Sequence, residues 1–140
     1  MKKYLILLLV AGLFAFTACS DDDDTETDDG TRIVGVWTFA SVSPPNELFN
    51  PDACQTPSTI DLQSDGTVEG TFYLASEGCA ASEVTDGSWE YLGDSEYAIE
   101  FPGLGVQQGI ANFNGEDAFT FSTTLNFEGF EIPVVLGFTK

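Results

Sequence analysis

Apolar and polar residues alternate along most of the chain after residue 31, and this period of two predicts β-strands. Asp65-Gly66 and Asn114-Gly115 are dipeptides that favour tight hairpins, and Pro44-Pro45 ends the first alternating run. Gly70 interrupts another run, which indicates a bulge or a close backbone approach. The pattern therefore predicts eight strands, at residues 33–42, 59–63, 67–74, 87–92, 96–101, 106–113, 118–125 and 130–138.

The predicted strands define an all-β fold, since no stretch after residue 19 carries a helical stripe of useful length. Two irregular loops are expected, at residues 46–56 and 75–85, whereas the other connections between strands are short turns. One helical turn is expected at residues 47–49. Short connections favour neighbouring antiparallel strands. We therefore expect an eight-stranded up-and-down β-barrel, the closure of which removes exposed strand edges; a two-layer sandwich is the alternative.

Residues 1–18 differ from the rest of the chain and have the features of a secretory signal peptide. Lys2 and Lys3 precede an apolar run over 5–16 that is too short to span a bilayer. The segment after this run, Thr17-Ala18-Cys19, resembles the lipobox of bacterial lipoproteins, although Phe16 stands where leucine is usual. The resemblance implies that Cys19 becomes the first residue and is anchored in a membrane by its acyl chains. An ordinary signal peptide with an incidental cysteine is the alternative.

The acidic stretch after Cys19 resembles the export signal of surface lipoproteins in some Gram-negative bacteria. It consists of Ser20, Asp21, Asp22, Asp23 and Asp24. The resemblance implies an outer-membrane lipoprotein that faces the cell exterior. Alternatively, the acids only solvate a tether. Residues 19–30 are too polar to bury and are expected to form a disordered tether, followed by one domain over 31–140.

Composition excludes several functions. After Cys19 the chain holds 23 acidic residues and two basic ones, a formal charge of 2 − 23 = −21, which argues against nucleic-acid binding. The absence of histidine removes serine and cysteine triads and every zinc site that needs imidazole. The strand carboxylates Glu69, Glu90, Glu96 and Glu100 are expected to face outward. We therefore expect no catalytic residue, no metal site and no cofactor.

If Cys19 is acylated, Cys54 and Cys79 remain as a pair in an oxidising compartment, where disulfides persist. Their bridge would close a loop of 26 residues (79 − 54 + 1). Two free or metal-binding thiols are the alternative.

Gly35 and Trp37, in Gly35-Val36-Trp37, resemble the Gly-x-Trp signature of lipocalins. Further matching segments are Cys54, Ser58-Thr59-Ile60, Asp65-Gly66-Thr67, Cys79, Gly87-Ser88-Trp89, Tyr97-Ala98-Ile99 and Gly137-Phe138-Thr139-Lys140. Together they resemble the small lipocalin-like domain of bacterial lipoproteins. That resemblance implies that Trp37 plugs the closed end of the barrel. The chain lacks an arginine near its end to stack on Trp37, and Lys140 is a poor substitute, so a differently built plug is expected.

Two functions follow from an eight-stranded barrel, whose interior is either filled by side chains or wide enough for one small ligand. In the first, inward aromatic residues line an apolar ligand pocket: Phe39, Phe72, Trp89, Tyr97, Phe119 and Phe121. In the second, the interior is packed and ligand-free. The protein is then a structural or interaction subunit of a cell-surface complex, contacting a protein partner through loops 46–56 and 75–85.

Overall fold

The computed structural model describes residues 29–140. The predicted signal peptide, the lipobox with Cys19 and the acidic stretch 20–24 lie outside the described residues. The strands are β1 (Gly35–Ser43), β2 (Thr59–Leu62), β3 (Thr67–Tyr73), β4 (Ala81–Gly93), β5 (Glu96–Phe101), β6 (Gly105–Phe113), β7 (Ala118–Phe127) and β8 (Phe130–Thr139). Two single 3₁₀ turns, Pro51–Ala53 and Ala75–Glu77, lie in the loops after β1 and β3.

The eight strands form one closed antiparallel barrel in sequential order, β1 to β8. Each strand pairs with its neighbour in the chain, and β8 closes the barrel on β1, where Phe39 lies opposite Phe138. The prediction of an all-β, up-and-down barrel is confirmed. Within residues 29–140, the structure holds no helix with the length and apolar character needed to cross a membrane.

Strand β4 is the main departure from the sequence prediction, since it begins at Ala81 and not at residue 87. Part of the predicted loop 75–85 is therefore strand, and Tyr73 of β3 pairs with Ala81. The run 81–86 alternates but contains only one large apolar residue, Val84, so its pattern was weak. The helical turn expected at 47–49 lies instead at Pro51–Ala53, where the Asn50 side chain accepts a hydrogen bond from the Asp52 amide.

Gly70 lies where β3 approaches β2 closely and where its pairing with β4 is irregular. The register shifts between Val68 and Gly70, and the extra residue lies on β4, between Val84 and Gly87. A Cβ atom added at Gly70 would lie 2.6 Å from the carbonyl oxygen of Thr59. The missing side chain therefore allows β2 and β3 to approach at this point.

The core lies inside the barrel, where the inward residues of all eight strands meet. Its largest fully buried side chains are Trp37, Tyr97, Phe72, Phe101, Phe119, Phe121, Phe138, Ile33, Ile60, Leu62, Ile99 and Leu136. The barrel has two distinct ends. The chain enters β1 at one end, called the base, together with the β2–β3, β4–β5 and β6–β7 turns. The other end, called the mouth, carries the β1–β2, β3–β4, β5–β6 and β7–β8 connections.

Candidate functional site: the base, the interior and the mouth of the barrel

The base is closed by the segment that leads into β1. Gly30 lies against the ring of Tyr91 on β4, where an added Cβ would be 2.8 Å from the ring. The guanidinium of Arg32 donates a hydrogen bond to the carbonyl oxygen of Gly115, in the β6–β7 turn, at 3.0 Å. Ile33, between these contacts and β1, is completely buried. The segment therefore crosses the base and seals it with one apolar side chain.

Trp37 completes this closure. Its indole Nε1 donates a hydrogen bond to the carbonyl oxygen of Ile33 at 2.7 Å, and its ring meets Phe119 edge to face at 4.7 Å. The Lys140 ammonium lies 4.7 Å from the centroid of the Trp37 ring, within the range of a cation–π interaction. The plug thus has a lysine where an arginine is usual, and β8 brings this lysine to the base.

The residues predicted to line a lumen do face the interior, but they contact one another. Phe39 stacks on Phe72 with ring centroids 5.6 Å apart. Phe119 and Phe121 are at most 1% exposed, and Tyr97 is completely buried. These side chains therefore belong to one buried cluster inside the barrel.

Trp89 is the one predicted lumen residue that the barrel does not bury fully. Its Nε1 donates a hydrogen bond to the carbonyl oxygen of Gln63 at 2.7 Å, beside the β2–β3 turn. Its ring centroid lies 6.1 Å from that of Tyr97. Trp89 therefore closes the base on the side away from Trp37.

Phe101 is a central residue that the predicted lumen set omitted. Its ring lies 6.0 Å from Phe72, 5.4 Å from Phe121 and 5.8 Å from Phe138. The ring of Phe138 in turn stacks on Phe119 at 4.9 Å. The alternation of β5 places Phe101 inward, but a pattern within one strand does not show that rings from five strands meet. The interior is thus a continuous aromatic cluster.

The mouth is covered by the β1–β2 loop, residues 44–58, which we call the lid. Phe49 is 3% exposed and packs into the core. Its ring meets Phe127 edge to face at 6.1 Å, and its amide donates a hydrogen bond to Asn46 Oδ1 at 2.9 Å. The lid therefore inserts one phenylalanine into the end of the barrel.

Three contacts fix the lid to the β3 side of the barrel. A disulfide joins Cys54 to Cys79, with a Cα–Cα distance of 5.6 Å, as predicted. The amide of Ser76 donates a hydrogen bond to the carbonyl oxygen of Leu48 at 3.1 Å. The hydroxyl of Ser58, a residue only 2% exposed, accepts a hydrogen bond from the Tyr73 amide at 2.9 Å. The lid is held at its middle and at its end.

The outer surface of the mouth combines apolar groups with carboxylates. A shallow cleft of about 210 Å³ is lined by residues that include Phe49, Leu104 and Phe127 on its apolar side and Glu77 and Glu128 on its acidic side. Phe130, at the start of β8, is 72% exposed, although its strand pattern predicts an inward face. The β7–β8 turn precedes it, so the barrel wall has ended before its ring can be covered. Sequence reasoning missed Phe130 for this reason.

Two aspartates, Asp65 and Asp29, each accept hydrogen bonds from a threonine two residues later in the chain. Asp65 accepts hydrogen bonds from the hydroxyl and, at 3.0 Å, from the amide of Thr67. These bonds lower the pKa of Asp65, the hydroxyl contributing most. The same arrangement of Thr31 lowers the pKa of Asp29. Among residues 29–140, no three acidic or cysteine side chains come together in a way that could hold a metal ion.

Comparison with known protein families gives a match to the model of lipocalin-like domains. The family model covers residues 33–130, which is most of the barrel from Ile33 to the first residue of β8. No curated protein matches the chain. The closed eight-stranded barrel and the tryptophan plug at its base agree with this match. The chain therefore belongs to the lipocalin-like domain family.

Proposed function

We propose that this chain is a non-enzymatic accessory binding lipoprotein, which is anchored in the outer membrane through an acylated Cys19 and faces the cell exterior. One observation carries the proposal: the chain enters the barrel at its sealed base, opposite the mouth. A tether that begins at Cys19 therefore holds the base toward the membrane and leaves the mouth pointing away from it.

The length and charge of the tether support this orientation. Residues 20–29 span at most ~35 Å when fully extended. They carry seven acidic residues, Asp21–Asp24, Glu26, Asp28 and Asp29, which repel an anionic lipid surface. Arg32 and Lys140, the two basic residues after Cys19, both lie at the base of the barrel. The acidic tether thus holds the barrel off the membrane, with Arg32 and Lys140 on the side that faces the lipid.

The mouth is the surface best suited to binding. The interior is filled by its own aromatic rings, so it serves as a scaffold for the loops at its end. Phe130 offers an exposed ring and pairs with Phe127, which lines the cleft at Phe49. That cleft holds about 210 Å³, less than the ~300 Å³ of a small-molecule pocket. An apolar side chain of a protein partner fits such a site better than a whole lipophilic molecule.

A small apolar ligand is the second candidate, and the position of Phe49 favours it. Phe49 belongs to a loop and not to a strand. Displacement of the lid would therefore remove one ring from the mouth without breaking the hydrogen bonds between paired strands. The ligand would then contact Leu74 and Leu125, which line the same cleft and belong to the core.

The anchor is tested by replacing Cys19 with alanine in the native host and separating membranes from soluble protein. We expect the wild type in the membrane fraction and Cys19→Ala in the soluble fraction. Cys54→Ala, which also removes one cysteine, is the matched control and should stay with the membranes. A Cys19→Ala protein that still pellets with membranes contradicts the anchor.

The role of the acidic stretch as an export signal is tested separately, by adding protease to intact cells. Wild-type protein should be digested, whereas a variant with asparagine at Asp21–Asp24 should be protected inside the outer membrane while remaining membrane-bound. Equal digestion of both proteins would show that the acidic stretch is only a solvated tether.

The binding surface is tested by placing a photo-activated cross-linking amino acid at Phe130 in intact cells. The control position is Leu92, an apolar residue on β4 that is 42% exposed near the base. We expect one discrete adduct from position 130 and none from 92. Equal labelling at both positions, or labelling at 92 alone, would contradict binding at the mouth. An adduct of small mass would favour the apolar ligand over the protein partner.

A further inference from the structure

The cleft at the mouth is framed by all four connections at that end of the barrel. Phe49 comes from the lid and Glu77 from the β3–β4 connection. Leu104 comes from the β5–β6 turn and Glu128 from the β7–β8 turn. Leu125, a core residue that is 2% exposed, lines the same cleft. A side chain that enters the cleft can therefore contact every connection of the mouth and the core beneath them.

The apolar part of the cleft continues onto the exposed surface. The ring of Phe49 meets that of Phe127 edge to face at 6.1 Å. Phe127 is paired with Phe130 across β7 and β8, and directly paired residues lie on the same face of a sheet. Phe130 is 72% exposed. An apolar surface therefore extends from the cleft to the start of β8.

The charge at the mouth is negative throughout residues 29–140. Glu77 and Glu128 line the cleft, and both side chains are exposed. The two basic residues of 29–140, Arg32 and Lys140, lie at the base. No lysine or arginine in this part of the chain therefore neutralises the carboxylates of the mouth. A partner with a cationic group would supply the opposite charge.

The apolar surface and the carboxylates together restrict the partner. Residues 29–140 have a formal charge of 2 − 17 = −15, which repels an acidic partner. A purely basic segment has no preference for the mouth, because exposed carboxylates such as Glu69, Glu83 and Glu90 also lie on the strands. A segment that carries both apolar and cationic side chains is favoured at the mouth, where both find complementary groups.

We propose that the cleft binds a basic segment of a partner protein. One apolar side chain of that segment enters the cleft, and neighbouring lysine or arginine residues pair with Glu77 and Glu128. The aliphatic stems of these basic residues can cover the rings of Phe127 and Phe130 while their charged ends stay in water. This inference rests on the proposed function, because it names the chemistry of the partner that the same surface binds.

The test is an NMR titration of the full chain as its host makes it, held in nanodiscs of zwitterionic lipid. The probe is a short peptide of alternating lysine and leucine residues. We expect it to shift the amide signals of Ser76, Leu104 and Phe127 at the mouth, and to leave that of Gly115 at the base unchanged. Peptides with glutamate in place of lysine, or alanine in place of leucine, should each bind at least ~5-fold more weakly.

A pair of double variants locates the charges that matter. Glu77→Gln/Glu128→Gln removes two carboxylates from the cleft, and Glu69→Gln/Glu90→Gln removes two exposed carboxylates from β3 and β4. Glu69 lies four residues before Tyr73, the last residue of β3, so it is ~13 Å from the mouth end of that strand. This distance exceeds the screening length of ~8 Å at about 0.15 M salt.

The cleft variant should bind the lysine–leucine peptide at least ~5-fold more weakly than wild type, since each exposed ion pair contributes up to about fivefold. The control variant should change the dissociation constant less than about twofold. Raising the salt concentration should weaken binding to wild type and to the control, and it should affect the cleft variant less.

Four results would overturn the proposal. A peptide that shifts no amide at the mouth excludes the site. Equal weakening in the two double variants shows only a diffuse attraction to an acidic protein. Equal affinity of the glutamate peptide removes the role of charge, and equal affinity of the alanine peptide removes the apolar anchor.

Failure of this inference is distinguishable from failure of the proposed function. Cross-linking at position 130 in cells with the same yield in wild type and Glu77→Gln/Glu128→Gln would keep the mouth as a binding surface and overturn the basic partner. Absence of any adduct at position 130, when the purified chain still binds the lysine–leucine peptide at the mouth, would contradict the proposed function alone.

Discussion

Replacement of both Cys54 and Cys79 by alanine would release the lid from the loop after β3. The bridge cross-links these two loops directly. The lid also carries Phe49, which seals the mouth. Loss of the bridge should therefore lower global stability and loosen the mouth locally.

The size of the global effect follows from the closed loop. The bridge encloses 26 residues (79 − 54 + 1), for which the loop-entropy relation gives about 12 cal/mol/K, or about 3.5 kcal/mol at 25 °C. A domain of 112 described residues has an unfolding entropy of about 235 cal/mol/K near 60 °C, so this loss corresponds to roughly 15 °C in Tm. The loss of about 3.5 kcal/mol is a large share of the total unfolding free energy of a small protein, which is roughly 5–15 kcal/mol.

Urea unfolding of wild type and the Cys54→Ala/Cys79→Ala variant measures this difference directly. Wild-type protein in reductant is the control and should match the variant without reductant. Hydrogen exchange adds a local readout, since the Ser76 amide, bonded to the carbonyl oxygen of Leu48, should lose protection before the amides of β7 and β8.

A destabilisation below about 1 kcal/mol, in a variant whose circular dichroism matches wild type, would refute the loop-entropy reasoning. Retained protection at Ser76 would refute the local part. It would show that Phe49 and the hydrogen bonds hold the lid without the covalent link.

Three further predictions concern the interior, the plug and a turn. Phe101→Ala should cost about 3–5 kcal/mol of unfolding free energy, because a ring in contact with three others leaves a cavity in a packed core. Lys140→Met should cost about 0.5–1 kcal/mol, the usual strength of an exposed cation–π pair, and should change the fluorescence of Trp37. Asp65 should titrate below its ordinary pKa of 3.8 when followed by NMR of its carboxyl carbon.

Each of these predictions has a matched control. Phe130→Ala removes the same ring from a 72% exposed site and should lie within about 0.5 kcal/mol of wild type; a similar cost for both phenylalanines would contradict a packed interior. Lys140→Arg should restore the stability lost in Lys140→Met. An unchanged unfolding free energy in Lys140→Met would show that the Lys140 ammonium does not stabilise the plug.

The sign of the pH effect at Asp65 is fixed by its lowered pKa. The ionised carboxylate is stabilised in the folded state, so its contribution is present above the unfolded pKa and is lost as pH falls through the folded pKa. Thr67→Val removes the hydroxyl that lowers the pKa most and should raise the pKa toward its ordinary value. An unchanged pKa in that variant would assign the shift to the backbone amide.

The fold was predictable because each strand carries its own signal. Alternation in 96–101 gave the bounds of β5 without error, and Asn114-Gly115 marked the β6–β7 hairpin. The start of β4 was missed because 81–86 pairs with β3 while contributing one large apolar residue, Val84. The alternation of apolar and polar residues indicates which face of a strand is buried. This indication is weak where the inward face itself carries polar residues.

The candidate site was less predictable because it depends on contacts between distant parts of the chain. The sequence showed that Phe49 lies in a loop, but only the fold brings it to Phe127 at the mouth. Likewise, Lys140 reaches Trp37 because β8 ends at the base. Whether a barrel is hollow also depends on how rings from several strands meet, which alternation within a strand does not encode.

Native mass spectrometry of the protein extracted from its own host membranes tests the central claim, that an acylated Cys19 carries a barrel filled by its own side chains. We predict the mass of residues 19–140 with at least two covalent acyl chains and no small molecule bound in stoichiometric amount. A chain without acyl chains would contradict the anchor, and one lipophilic molecule per chain, released on unfolding, would contradict the filled interior.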